Sequence, residues 1–278
     1  MLWGFFKKMV VADSCAPLVD RIFADYPNQT GSILLLGGIL FAFQIYGDFS
    51  GYSDIAVGCG RLFGIRLMRN FNNPYFSRDI AEFWRRWHIS LSTWFRDYLY
   101  IPMGGSRVSK AKTLRNIFLM FAISGLWHGA NWTFVVWGVF NAALFLPLLL
   151  LKRNRKHLNE VAEGGLLPSS GELFQMATTF FLVVIGWVFF RSPTIGHAFG
   201  YLTNLFSASL FTLPDKYLSA LPWICVLVAV EWIQRSNPHG LYLTKGVPRI
   251  IRWFIYWVLA VLCLAHFNLA ASFIYFQF

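Results

Sequence analysis

An all-α, multi-pass membrane bundle is the fold class that these 278 residues predict, and three observations predict it. Charged residues make up 13% of the chain and apolar residues 56%, where a soluble domain carries about 25% charged residues. Mean hydropathy is +0.51. The apolar stretches are continuous and approach the ~20 residues that cross a bilayer, whereas barrel strands alternate in segments of about 10. No repeat, linker or separate soluble domain interrupts the pattern, so residues 1–278 read as one membrane domain.

The formal charge of +11 would point to nucleic acid in a soluble chain. Here Lys and Arg gather between apolar stretches, as the positive-inside rule expects, and no nucleic-acid signature accompanies them. Membrane lipids are the expected partner and nucleic acid is not. Cys15, Cys59, Cys225 and Cys263 are scattered without a CxxC or metal spacing, so buried thiols are expected, with no disulfide framework and no metal centre. GxxxxGK[ST], GxSxG and HExxH do not occur, which argues against P-loop, α/β-hydrolase and zinc-peptidase chemistry.

The elements follow in order. Residues 1–25 mix apolar and charged residues and predict a short interfacial or re-entrant helix; Lys7 and Lys8 break the pattern of a signal peptide. Tyr26-Pro27-Asn28 ends it. A span starts at Ser32 and continues through 46 towards 65, carrying Asp48 and Asp54, which need burial against protein or water. Arg61, Arg66 and Arg69 place its far end in the cytoplasm.

Residues 78–99 predict one amphipathic interfacial helix. Ile80, Phe83, Trp84, Trp87, Leu91, Trp94, Phe95 and Tyr98 recur at three- and four-residue steps, opposite Glu82, Arg85, Arg86, Arg96 and Asp97. Glu82 and Arg86 are spaced for an i,i+4 pair. Pro102 and Gly104-Gly105 close this region, and a basic loop with Arg107, Lys110, Lys112 and Arg115 follows.

Between that loop and KRNRKH (152–157) lie two apolar arms, 116–127 and 131–151, joined at His128-Gly129-Ala130-Asn131. Twelve residues give about 18 Å of helix and 21 give about 31 Å, against a hydrocarbon core of about 30 Å. With both basic loops on one side, the shorter arm predicts a turn at partial depth, tolerated only where protein or a water-filled cavity lines it. Further spans are expected at 172–190, 218–234 and 253–270, with an external amphipathic piece at 196–210. The loop with Arg235, Lys245, Arg249 and Arg252 lies inside and the C-terminus outside.

An ionisable group at that depth marks a pathway or an active site, so His128 is the leading candidate for a catalytic base in acyl transfer. Its alternative is a packed histidine bonded to a carbonyl. Asn131 and the glycine backbone of the turn are candidate oxyanion donors, and Trp127 a candidate substrate contact. His88 reads equally as a packing residue with a wet ring tip or as part of the site; a metal pair with His128 is a third reading, weak because no third ligand is identified. Arg85, Arg86 and the basic loops suit an anionic donor, or simply anchor the chain. His157, His197, His239 and His266 read as local packing residues.

FWRRWHISLSTWFRDYLYIPMGG (83–105), Arg115-Asn116 and SGLWHGANWTFVVWG (124–138) together resemble the membrane-bound O-acyltransferase family. The likeness is to its branch that acetylates bacterial polysaccharides such as alginate. GFFKKMVVADSCAPLVD (4–20), IYGDFSGYSDIAVGCGRLFGI (45–65) and FIYFQF (273–278) are similar to the same branch. The resemblance implies a helical bundle pierced by a tunnel or funnel, with the WHG histidine, His128, catalytic at its narrow point and the RRWHISL histidine, His88, beside it. It implies no bound cofactor, but acetyl-CoA or another cytoplasmic thioester as acyl donor. A periplasmic acetyltransferase partner, an exported polysaccharide as acceptor and residence in the bacterial inner membrane follow from it too. Relatives carry further membrane helices ahead of the GFFKK-like segment, so these residues are expected to form the C-terminal part of the family fold. D-alanyl transfer to teichoic acid and a non-catalytic scaffold or conduit subunit are the alternatives.

Overall fold

The computed structural model describes residues 1–243 and 246–267. Lys245, the FIYFQF motif, the outer end of the last expected span and the C-terminus lie outside the described residues. Among the described residues the chain is helical without a strand. Its elements are α1 (Leu2–Phe5), a π-helical stretch (Phe6–Ala12), α2 (Asp13–Ala24), α3 (Gly31–Leu62), α4 (Ile80–Arg86), α5 (Ile89–Phe95) and a π-helical turn (Arg96–Tyr100). They continue with α6 (Lys110–His128), α7 (Trp132–Leu150), α8 (Ser170–Arg191), α9 (Ile195–Leu205), α10 (Leu221–Ile233) and α11 (Arg249–Ala265). Contacts divide the chain into two compact units, one of Met1–Arg69 with Asn204–Phe278 and one of Asn70–Thr203.

In the first unit α3 runs unbroken for 32 residues, about 48 Å, and most of its faces are buried. The segment from α1 through α2 packs along it rather than lying as a short separate helix: Phe6, Val10, Cys15, Val19 and Ile22 are fully buried. Glycine makes this approach possible, since a Cβ on Gly4 would stand 2.5 Å from the Gly51 carbonyl oxygen. The aspartates find cations there. Lys8 reaches Asp48 at 2.7 Å and Asp13 at 2.8 Å, and Lys7 reaches Asp54 at 2.8 Å. Tyr46 donates its hydroxyl to both oxygens of the buried Glu231, at 2.8 and 2.9 Å.

The second unit holds α4 to α8 and most of α9. Helices α6 and α7 form an antiparallel hairpin that two glycines bring together: a Cβ on Gly125 would overlap the Phe134 carbonyl, and one on Gly138 the Phe121 carbonyl. Ser169 and Glu172 form a reciprocal cap at the start of α8.

Four expectations are corrected. The single helix over 78–99 is broken between α4 and α5 at Trp87-His88. Its apolar stripe divides as well: Ile80, Phe83, Trp87 and Phe95 are buried, while Trp94 and Tyr98 are exposed. The arms of the hairpin have 19 residues each, about 28 Å, because the polar run from Lys110 to Arg115 is helical although it is not apolar. The unequal arms from which the sequence argues a half-depth turn are thus equal as helices. Finally, α3, α7 and α8 are long and apolar enough to cross a membrane, but α10 has 13 residues, about 20 Å, short of the span expected at 218–234; α11 covers Arg249–Ala265, and the outer end of the span expected at 253–270 lies outside the described residues.

Candidate active site

The break between α4 and α5 is built by the chain ahead of it. His88 sits in the left-handed region at φ 44, ψ 56, a conformation that costs a non-glycine residue free energy and that His adopts more readily than branched side chains. The groups freed by the break are satisfied by residues 70–72. Asn72 N donates to Arg86 O at 2.9 Å, Ile89 N donates to Asn70 O at 3.0 Å, and Ser90 N donates to the Asn70 side-chain oxygen at 3.0 Å. Arg86 also donates to Asn72 O at 3.2 Å.

Glu82, 1% exposed, anchors this clamp. It accepts from Arg78 at 3.1 Å and from Arg86 at 2.8 Å, the i,i+4 pair that the sequence predicts. Burial acts to raise its pKa, but the Arg78 and Arg86 contacts win and hold it below the usual carboxylate range. Arg78 further binds Glu172 and the Asn159 carbonyl, fastening the loop before α8 to α4.

His88 thereby faces the end of α6. Its ring stacks on Phe71 at 6.4 Å and lies 6.5 Å from Trp127, whose indole meets His128 at 5.1 Å. The two imidazoles are close enough that charge on one would oppose charge on the other. Burial pushes the His88 imidazole down to about 4, so at neutral pH it is an uncharged acceptor or donor.

His128 is the last residue of α6. Phe190 (5.0 Å) and Trp137 (5.3 Å) meet its ring edge to face, and Phe134 stands at 6.2 Å. Trp187 stacks on Trp137 and continues into Trp87. The result is a partly buried imidazole surrounded by aromatic rings. Gly129 closes the turn tightly, since a Cβ there would stand 2.8 Å from the Phe134 ring.

The predicted site residues separate into two groups. His88, Trp127 and His128 come together. Asn131 adjoins them but caps α7, accepting from Thr133 N at 3.1 Å while its amide donates to the Pro193 carbonyl at 3.0 Å. That use of the side chain ties the turn to the end of α8. Arg85 donates to the Asn154 and His157 carbonyls, at 2.7 and 2.6 Å, and holds the basic loop; Arg86 belongs to the Glu82 clamp. His197 and His266 bond locally, to Ser192 and the Leu262 carbonyl.

Asn70, Glu82, Trp137 and Phe190 also build the site and escape sequence reasoning. Glu82 signals itself only through its spacing to Arg86. Trp137 and Phe190 read as ordinary members of apolar spans, and nothing local links Asn70 to a helix 20 residues later.

The model of the membrane-bound O-acyltransferase family matches residues 15–166, more than half of the chain and the stretch that contains both histidines. The chain belongs to this family. It is 43% identical over 254 residues to "Probable alginate O-acetylase AlgI" of Azotobacter vinelandii, covering 88% of this chain and 48% of that protein. It is 37% identical over 202 residues to the "Peptidoglycan O-acetyltransferase" of Helicobacter pylori (73% and 37%) and 31% identical over 178 residues to the "Teichoic acid D-alanyltransferase" of Bacillus subtilis (59% and 43%). The chain spans about half the length of the curated relatives it matches. Family and apolar helices together make it a membrane protein.

Proposed function

We propose that this chain carries the catalytic centre of a membrane O-acyltransferase. It moves an acetyl group from a cytoplasmic thioester, acetyl-CoA, for O-acetylation of an exported polysaccharide of the alginate type. The observation that supports the reading is the convergence of His88 and His128 on Trp127 inside one aromatic enclosure. A partly exposed neutral imidazole there can take a proton from an attacking hydroxyl, a contribution of about 10²- to 10⁴-fold. His128 is the base or the relay; His88, fixed by its strained backbone, orients it. The enclosing rings exclude the water that would otherwise hydrolyse the acyl group. The basic stretches at 107–115 and 152–157 support a donor side in the cytoplasm, with the inner membrane as the compartment and a periplasmic acetyltransferase completing delivery to the polymer.

The test is base-labile acetate on secreted polysaccharide in cells lacking the native gene. They are complemented with this chain, with a version extended at its N-terminus to the length of the relatives, and with His128→Ala of whichever restores acetate. The mutant is expected to lose at least about 10²-fold at equal membrane abundance. Retained acetate makes His128 a packing residue and leaves a scaffold or conduit. D-alanine on teichoic acid in place of acetate would move the chain to the branch of the Bacillus relative.

A further inference from the structure

The second unit has a cleft that acyl transfer at the histidines does not account for. It has a volume of ≈ 460 Å³ and lies between α4, α5, the inner end of α7 and the loop that follows, with Trp84, Arg85, Ile89, Arg96, Phe145 and Arg155 on its walls. We propose that it seats the phosphate head group of an anionic phospholipid.

Charge is the first argument. Three guanidinium groups converge on the cleft and no carboxylate lines it. Arg85 spends two donors on neutral carbonyls; Asp79 and Glu82 act on its charge from outside the cleft lining, while Arg86 and Arg155 repel it. Arg96 pairs with its exposed neighbour Asp97, and the cleft lining itself carries three positive charges and no negative one. Convergent like charges in a concave wall are costly without an anion. The second argument is independent. The Trp84 indole Nε1 is buried with no acceptor among the described residues, and a buried donor left in that state is destabilising. Trp84 lines the cleft, and an anionic oxygen seated there is its proposed acceptor.

The surroundings select the kind of anion. Phe145, Ile89 and Ala81 make the walls between the cations apolar. Helix α7 is one of those long and apolar enough to cross a membrane, and Leu150 and Leu151 at its inner end are exposed. An amphiphile places a phosphodiester and hydrocarbon side by side and matches this arrangement, as basic pockets beside spanning helices match acidic lipids. A nucleotide thioester shares the phosphate but has a polar body. The inference does not depend on acyl transfer, and its test does not read it.

The test uses the 278-residue chain in detergent, titrated with short-chain phosphatidylglycerol and phosphatidylcholine and read by native mass spectrometry. Phosphatidylglycerol is expected to bind about tenfold more tightly, a preference lost in the Arg96→Gln/Arg155→Gln double variant. Trp84→Phe, which keeps the ring and removes the donor, is expected to weaken the preference about threefold. Millimolar inorganic phosphate or coenzyme A should not displace the lipid. Equal affinity for the two lipids overturns the proposal, as does a preference that survives in a double variant with unchanged melting. Displacement by coenzyme A also overturns it and assigns the cleft to a soluble phosphate ester. If the double variant aggregates, Trp84→Phe decides, and an unchanged preference there overturns the lipid seat.

Discussion

The two units bury polar chemistry in opposite ways. In the first, Lys7, Lys8, Asp48, Asp54, Tyr46 and Glu231 lie against one another along α3, each charge met at 2.7–2.9 Å. In the second, the imidazoles of His88 and His128 are enclosed by ring faces and edges, and both remain partly exposed. Opposite charges at contact distance lock each other and make poor reactants. An imidazole walled by rings is held in place by contacts that carry no opposing charge. The contrast matches a first constellation that holds the fold and a second that suits the proposed chemistry.

That contrast can be broken by mutation. Lys8→Met leaves Asp48 and Asp13 without their cation, and stability should fall by about 3–5 kcal/mol; the yield of folded protein and its melting in detergent report this. Lys8→Met/Asp48→Asn should recover much of the loss, and a Lys8→Met protein with unchanged melting would show that the pair holds nothing. In the second unit, His88→Val asks a branched residue to take φ 44 and should cost about 1–3 kcal/mol, whereas Asn tolerates that backbone. His88→Asn should therefore melt near the parent yet lose acyl transfer; equal activity in the two variants would make His88 a backbone fixture only.

Smaller effects sharpen the division. Asn131→Ala removes the α7 cap and should cost about 1 kcal/mol while transfer falls far less than in His128→Ala. A loss as large as that of the histidine variant would return Asn131 to the reacting groups. Last comes pH. The folded His88 titrates near 4 and an unfolded one near 6.5, so the unfolded chain binds the extra proton between those values. Its contribution to stability is complete above pH 6.5 and is lost as pH falls towards 4. Between pH 7.5 and 6 this amounts to less than about 1 kcal/mol, and melting in His88→Asn should lack that component.

The hairpin and its turn were legible because hydropathy switches sharply at His128-Gly129-Ala130-Asn131, and the capping asparagine is a local signal. The break at His88 was not. Trp84, Trp87, Leu91 and Trp94 keep the helical period across it, so the pattern does not register one left-handed residue. Its cause is Asn70 and Asn72, distant in sequence, and distant hydrogen bonds leave no periodic trace. The length of α6 was misjudged for a related reason: apolarity measures the part of a helix that suits lipid, and Lys110 to Arg115 are helical without being apolar. The partners of Asp48 and Asp54 were half visible, since Lys7 and Lys8 stand out in the first stretch, but only the close packing at Gly4 and Gly51 joins them.

The glycine contacts between α6 and α7 also fix a reading frame for the active site. Gly125 pins α6 against the carbonyl of Phe134, three residues before His128. One residue inserted between Lys110 and Phe121, ahead of the contact with Gly138, can be taken up at the start of the helix, leaving the imidazole where it is. One inserted between Gly125 and His128 turns the imidazole by about 100°, away from Trp137 and Phe190. Natural length variation in this helix should therefore stop ahead of Phe121.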